Sequence, residues 1–253
     1  MYKVVILVLL VFIIYYFGFY TRNPVPNPPP NPNPDDPSIG PAPAPSLEYT
    51  IYGLGVGDNT IYAVTDTTKV WNAIGHSNGF YNLIYLNQYL YGFDVNFNII
   101  YMQPGSSTYS TIANTGLSEN DFMMNFSFDK NGILWGISKY GSLYTKGLSF
   151  DLPWSLSEAN FNDINDSINS FCFDNEGTIY AISHGKIYKQ QNNSFNILPT
   201  SNISMLNIHY DYYTETFYGI NTSWKLCYSS DLITWKLSNV SQLSLYDATY
   251  SWK

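Results

Sequence analysis

The chain has 253 residues, a formal net charge of −8 at pH 7, and a charged fraction of only 12%. Aromatic residues make up 18% of it, and 24 of them are tyrosines. Proteins that bind nucleic acid neutralise phosphates with lysine and arginine, so an acidic chain with one arginine excludes that class of partner. The length suits one large all-β domain, and β-branched and aromatic residues favour strands.

The N-terminal segment predicts a membrane anchor, residues 1–22. Residues 4–20 are uninterrupted apolar and would span about 26 Å as a helix, near the lower limit for a bilayer core. No small-residue cleavage site follows, which favours an uncleaved signal-anchor over a cleaved signal peptide, the alternative. The few basic residues indicate that the N-terminus lies inside and the rest outside.

Residues 23–46 predict a proline-rich stalk. Eleven of the fourteen prolines lie here. Proline fixes φ and removes a donor, so the segment favours an extended polyproline II conformation that lifts a head off the membrane. A docking peptide for a proline-binding module is the alternative.

Residues 47–253 contain a repeat that predicts an all-β propeller head of five four-stranded blades. In the fourth unit, residues 167–173, 178–183, 186–190 and 194–199 read as four antiparallel strands joined by short turns. Aromatic side chains are expected to fill the space between blades. The units are aligned on an aromatic residue assigned to their second strand: Tyr62, Tyr91, Trp135, Tyr180 and Tyr218.

The first unit is short of one strand, and the C-terminal segment 243–253 is a strand without a unit. We therefore expect this segment to pair with the first blade and close the ring.

The segment 228–237 resembles the short Asp-box of sialidase-type propellers, and residues 147–156 resemble it less completely. In that family the box is a structural hairpin between the third and fourth strands of a blade, and it occurs in many non-enzymatic propellers. The rhythm of the repeats also resembles that of tachylectin- and tectonin-like lectin propellers. The positions that match the Asp-box are Ser229, Asp231, Thr234 and Trp235 in the first segment and, without the threonine, Ser149, Asp151 and Trp154 in the second.

The sequence predicts no catalytic residue, cofactor or metal. Sialidases hold the substrate carboxylate with arginines, and the head has none. His76, His184 and His209 are too scattered for a metal-ligand pattern. An aspartate recurs in the repeats and invites a calcium interpretation, but an aspartate that opens a tight hairpin accepts local amide hydrogen bonds, and that interpretation is preferred. The recurring residues are Asp58, Asp129, Asp174, Asp211 and Asp247.

A ligand site is expected where the turns between second and third strands meet at one end of the propeller. Aromatic rings beside polar groups suit sugar or protein contacts, although the turns could equally show tolerated residues only. The candidate residues are Asp66, Asn96, Tyr140, His184 and Trp224.

Two further features are left open by the sequence. Among the N-x-[ST] sequons, Asn192 and Asn239 are the best candidates for glycosylation, since both lie in expected turns. Cys172 and Cys227 could form a disulfide, but buried free thiols are the simpler interpretation.

Together these features predict a membrane-anchored, non-enzymatic propeller for recognition or adhesion, with a glycan or protein ligand, exposed on a microbial cell or on a virion as a spike. The first alternative is a structural coat, minor capsid or surface-layer protein that links a lattice to a membrane. The second is a glycoside hydrolase.

Overall fold

The computed structural model describes residues 48–252 except 58–59, 66–67, 77–80, 95, 113–116, 118–120, 148–150, 162–163, 165–166, 193, 200 and 241–242. The predicted anchor and stalk lie outside the described residues. The described part of the chain is all β, without a helix, so it contains no helix that could cross a membrane.

The strands follow one another closely along the chain. They are β1 (Tyr49–Gly55), β2 (Thr60–Thr65), β3 (Asn72–His76), β4 (Tyr81–Leu86), β5 (Tyr89–Phe93), β6 (Ile99–Met102), β7 (Ser110–Thr111), β8 (Met123–Phe128), β9 (Leu134–Ser138), β10 (Ser142–Lys146), β11 (Ser155–Asn160), β12 (Ser170–Phe173), β13 (Ile179–Ser183), β14 (Lys186–Gln191), β15 (Ser194–Ile197), β16 (His209–Asp211), β17 (Thr216–Ile220), β18 (Leu226–Ser229), β19 (Lys236–Leu237) and β20 (Leu245–Trp252).

These strands form five antiparallel four-stranded sheets, which are the blades of a β-propeller. Blades 2 to 5 each take four consecutive strands: β4–β7, β8–β11, β12–β15 and β16–β19. Blade 1 has the order β20-β1-β2-β3, so the C-terminal strand is its innermost strand. Thr50 lies opposite Ser251 in this pairing. The predicted closure of the ring by the C-terminal segment is therefore confirmed.

The alignment of the first unit was wrong by one strand. Because β20 is the first strand of blade 1, β1 is its second strand and β2 its third, and Tyr62 lies in β2. The residue equivalent to Tyr91 and Tyr218 is Tyr52, which like them precedes a glycine in the second strand. The segment around Tyr62 has the same local pattern as a second strand, and only the non-local pairing with β20 decides its place.

Aromatic side chains fill the space between blades, as expected. In each blade the aromatic residue of the second strand contacts an aromatic ring of the next blade, with a centroid separation near 5 Å, a favourable distance for ring pairs. The pairs are Tyr52–Tyr85 (5.4 Å), Tyr91–Phe128 (4.8 Å), Trp135–Phe173 (5.1 Å), Tyr180–Phe217 (4.9 Å) and Tyr218–Tyr250 (4.8 Å).

A circle of hydrogen bonds around the axis joins the five blades. One polar side chain in, or just before, each inner strand bonds to the backbone of the next blade. The bonds join Asn82 Nδ2 to the Phe126 carbonyl (3.2 Å), Asn125 Nδ2 to the Asn169 carbonyl (2.7 Å), Ser170 Oγ to the Ile208 carbonyl (3.0 Å), Asn207 Nδ2 to the Tyr246 carbonyl (3.1 Å), and the Leu83 amide to Asp247 Oδ2 (2.6 Å). Backbone groups at the inner edge of each blade, which have no neighbouring strand to pair with, gain hydrogen-bond partners in this way.

The two cysteines, Cys172 and Cys227, are buried free thiols. Burial raises the pKa of both, to about 11 for Cys227. They act as small apolar core residues.

Candidate functional site

The turns that join second to third strands lie at one end of the propeller, which we call the turn face. Four of the predicted site residues lie in these turns: Asn96, Tyr140, His184 and Trp224. Asp66 lies outside the described residues, and the strands around it, β2 and β3, are the third and fourth of blade 1 instead of the second and third. Asp66 therefore does not belong to a turn between second and third strands, and its assignment to the turn face was wrong.

Two bulky aromatic residues of the turn face have a left-handed backbone. The turns of blades 2, 3 and 5 share one hydrogen bond, from the amide of the fourth residue to the carbonyl of the first, at 2.9–3.0 Å. The fourth residue is Gly141 in blade 3 (φ +81°) but Phe97 in blade 2 and Trp224 in blade 5 (both φ +61°). This conformation suits glycine and costs an ordinary residue about 1–2 kcal/mol.

These two rings belong to partly exposed aromatic pairs. Phe97 stacks on Phe122 with 4.9 Å between centroids. Lys139 Nζ lies 5.1 Å from the Phe122 centroid and 4.8 Å from that of Tyr140, whose exposed fraction is 65%. On the far side of the face, the ring of Trp224 lies edge-on to Tyr246 at 5.2 Å. Exposed rings beside polar turn groups thus occur at two places on the turn face.

The Ser229–Trp235 turn joins β18 to β19, the third and fourth strands of blade 5. Asp231 Oδ1 accepts the Ile233 and Thr234 amides at 2.9 and 2.7 Å and the Ser229 hydroxyl at 2.9 Å. These bonds lower the pKa of Asp231 to about 2. The Trp235 ring is buried, and its Nε1 donates to the Leu232 carbonyl (3.1 Å). The role of these residues is structural.

The less complete segment, 147–156, joins β10 to β11 in blade 3. Ser149 lies outside the described residues. Trp154 is buried and Asp151 is exposed. Lys146 Nζ lies over the Trp154 ring, 5.2 Å from its centroid, and donates a hydrogen bond to the Leu152 carbonyl at 2.5 Å. Burial lowers the pKa of Lys146, and the negative charge of the nearby Asp151 partly offsets this shift.

The recurring aspartates accept turn amides, as preferred in the sequence analysis. Asp129 Oδ1 accepts from Asn131 and Ile133, and Asp174 Oδ1 accepts from two amides in the same way. Asp247 differs, because it lies within β20 and not in a turn. Among the described residues no group of three histidine, cysteine, aspartate or glutamate side chains is placed to hold a metal ion. Asn192 and Asn239 lie in exposed turns.

Sequence reasoning missed a second concave feature, an axial cavity of about 250 Å³ that opens at the end opposite the turn face. It lies among the first-to-second-strand turns, and Tyr85, Asp211, Tyr212, Tyr218 and Tyr250 are in its lining. No local signal marks it, because its walls come from blades that are far apart in the sequence.

A buried hydrogen-bond cluster lies beside this cavity. Asp247 Oδ1 accepts His209 Nε2 at 2.7 Å, Asn207 Nδ2 at 2.9 Å and the Ala248 amide at 2.8 Å. The His209 ring stacks on Tyr218 with 5.2 Å between centroids. Since each of these groups bonds within the wall, the cluster holds the inner strands of blades 5 and 1 together.

No known protein family and no curated protein matches this chain. Among solved structures, one described with the words "the de novo evolutionary emergence of a symmetrical protein is shaped by folding constraints" is 16% identical, with a TM-score of 0.51 over 78% of this chain and 92% of that one. YCF48 bound to a D1 peptide is 13% identical, with a TM-score of 0.46 over 76% and 80% of the two chains. At these identities the first likeness concerns the fold alone.

Proposed function

We propose that the protein is a recognition or adhesion molecule, without enzymatic activity, whose propeller head binds a glycan or a protein ligand through the turn face. The observation that carries this proposal is the pair of left-handed aromatic residues, Phe97 and Trp224, at a position where a sister turn has glycine. Strained backbone conformations of this kind concentrate at functional sites, so the two aromatic side chains are candidates for ligand contact.

The described part of the chain begins at the end of the propeller opposite the turn face, since Tyr49 pairs with Trp252 at the end of the β1–β20 pairing that is far from Gly55. We infer that the apolar segment 4–20 anchors the protein as a single-pass membrane protein and that residues 23–46 hold the head away from the surface, of a microbial cell or of a virion.

The described residues of the turn face include no arginine, the side chain that pairs with carboxylates and sulfates through two parallel hydrogen bonds. Lysines lie in or beside three of its turns, at Lys139, Lys186 and Lys225, and Lys139 contacts aromatic rings. Ligands that need an arginine pair are therefore poor candidates. Neutral saccharides, which stack on aromatic rings and hydrogen-bond to asparagine and backbone groups, fit the face better.

The discriminating experiment replaces Trp224 in two ways. Trp224→Gly relieves the left-handed strain and removes the ring, whereas Trp224→Ala removes the ring but keeps the strain. We expect both variants to lose binding on a glycan array, with the glycine variant more stable than the alanine variant by about 1 kcal/mol in denaturant unfolding.

Tyr140→Ala serves as the second test of the face, and Tyr109→Ala, equally a substitution of an exposed tyrosine but outside the face, is the matched control. Binding that survives in both the Trp224 and Tyr140 variants would remove the turn face from the account. A head that binds no glycan but co-purifies with a coat or surface lattice would support the architectural alternative, and turnover of generic glycosides would support a hydrolase.

A further inference from the structure

The axial cavity is bounded by aromatic rings set at steep angles to one another. Tyr218 and Tyr250 meet at 72° with centroids 4.8 Å apart, and Tyr210 and Tyr212 meet at 75° with centroids 5.3 Å apart. All four rings are in the lining. His209 covers one face of Tyr218, so the cavity is lined by the remaining π surface of these rings, to which a cation is attracted.

The charge of the lining is entirely acidic, apart from one histidine. Asp129 and Asp211 line the cavity, and none of the lining residues is lysine or arginine. Asp211 also lines a neighbouring groove of about 420 Å³, which shares Tyr218 and Tyr250 with the cavity and again has no lysine or arginine in its lining. Burial raises the pKa of both tyrosines, so the phenols are neutral. The site therefore attracts cations and repels anions.

The polar groups of the wall are already engaged in the protein's own hydrogen bonds. Asp211 accepts the Tyr213 amide (3.0 Å) and the Thr214 hydroxyl (2.6 Å). The Tyr212 hydroxyl donates to the Phe128 carbonyl of blade 3 at 3.0 Å, so this side chain reaches from blade 5 past blade 4. Thr249 Oγ1 accepts the Tyr85 amide at 2.9 Å. A ligand that needs many directed hydrogen bonds, such as a saccharide, finds few partners here.

These observations favour one kind of ligand. We propose that the axial cavity is a binding site, separate from the turn face, for a quaternary ammonium group of the choline type. Such a group carries a positive charge without a hydrogen-bond donor, and is held by π faces and by a negative potential alone. The neighbouring groove, with Tyr49, Tyr228 and Leu237 in its lining, takes the rest of the ligand.

The test uses the full chain in nonionic detergent and isothermal titration calorimetry. The probes are choline and 3,3-dimethyl-1-butanol, which has the same shape without the charge. We expect choline to bind about tenfold more tightly than the neutral alcohol, since the attraction is to the charge. Equal affinities, or no heat from choline, would overturn the proposal.

Variants locate the site. Asp211→Asn keeps an acceptor for the turn but removes the charge, and Tyr213→Ala removes a ring at the mouth whose exposed fraction is 57%. Each should weaken choline binding about tenfold. Tyr109→Ala, with an exposed fraction of 52% outside the cavity, should leave it unchanged. Choline binding that is unaffected by both cavity substitutions would place it elsewhere and refute the proposal.

A last arm separates a lipid headgroup from a free solute as the source of the group. The probe is glycerophosphocholine, the water-soluble headgroup portion of phosphatidylcholine, titrated into the same full chain as choline. Binding that is tighter than that of choline and weakened by Asp211→Asn identifies the headgroup, whereas binding weaker than that of choline identifies a free solute. The result is independent of the turn face, because Trp224→Gly alters neither the lining nor its charge.

Discussion

At the scale of single residues, side chains of similar chemistry have opposite roles according to where they lie. Asp231 holds a turn together, and Asp247 joins two blades in the core. Trp235 is buried between strands, whereas Trp224 is partly exposed at a strained position. Sequence spacing separates Trp235 from Trp224, because only the former lies in a segment that resembles an Asp-box. It does not separate Asp247 from the turn aspartates, since the difference depends on strand pairing.

Asp231 gives the molecule a measurable acid sensitivity. Hydrogen bonds from the Thr234 and Ile233 amides and from Ser229 hold its pKa at about 2, below the ordinary 3.8. A carboxyl whose pKa is lowered by folding stabilises the fold above the ordinary pKa, and this stabilisation is lost as the pH falls from about 4 to 2. Asp231→Asn should therefore lower the melting temperature at pH 7, with a difference that vanishes near pH 2. A difference that stays constant from pH 7 to pH 2 would contradict the role of the charge.

At the scale of strands, the second strands of blades 1, 3 and 5 pass close to neighbouring atoms at a glycine. A Cβ at Gly219 would lie 2.2 Å from the Asn207 carbonyl oxygen, and a Cβ at Gly136 would lie 2.6 Å from Met123 Sδ. The equivalent position in blade 4 is Ala181, which is fully buried. The glycine that follows the aromatic residue in the second strand is therefore required by close packing. In blade 4 the same position has room for one methyl group, that of Ala181.

This difference between blades gives a matched pair of substitutions. Gly219→Ala must push backbone aside, and we expect it to destabilise the fold by about 2–3 kcal/mol in urea unfolding. Ala181→Gly only removes a methyl group and adds chain entropy, so about 1 kcal/mol is expected. Equal effects of the two substitutions would mean that the close approach of Gly219 to Asn207 is not rigid.

The elements show where sequence reasoning succeeded and where it failed. The second, third and fourth strands of blade 4 were predicted to within two residues at each end, because hairpins are local and turn residues mark their ends, whereas the first strand begins three residues later than predicted. Blade 1 was shifted by one strand, since residues 60–65 imitate a second strand as well as residues 49–55 do. The circle of asparagines near the axis, Asn82, Asn125 and Asn207, recurs at repeat spacing and could have been found.

At the scale of the whole molecule, the ring explains why the repeat exists. Each blade covers an aromatic surface of the next, so no blade buries its rings alone, and a last strand from the C-terminus completes the first blade. The fold class and the number of blades could be predicted from this logic. The axial cavity could not, because Tyr212, Asp211 and Tyr85 meet there only after closure. The turn face was predictable in position, but its strained aromatic residues were not.

The closure of the ring by β20 is the central claim, and a pair of cysteines tests it most directly. Thr50 and Ser251 lie opposite each other in the β1–β20 pairing. In a chain with Cys172 and Cys227 replaced by serine, Thr50→Cys with Ser251→Cys should form a disulfide under mild oxidation, detected by peptide mass spectrometry, while Thr50→Cys with Leu245→Cys should not, because Leu245 pairs with Gly55. A folded protein in which the first pair stays reduced would contradict the closed five-bladed ring.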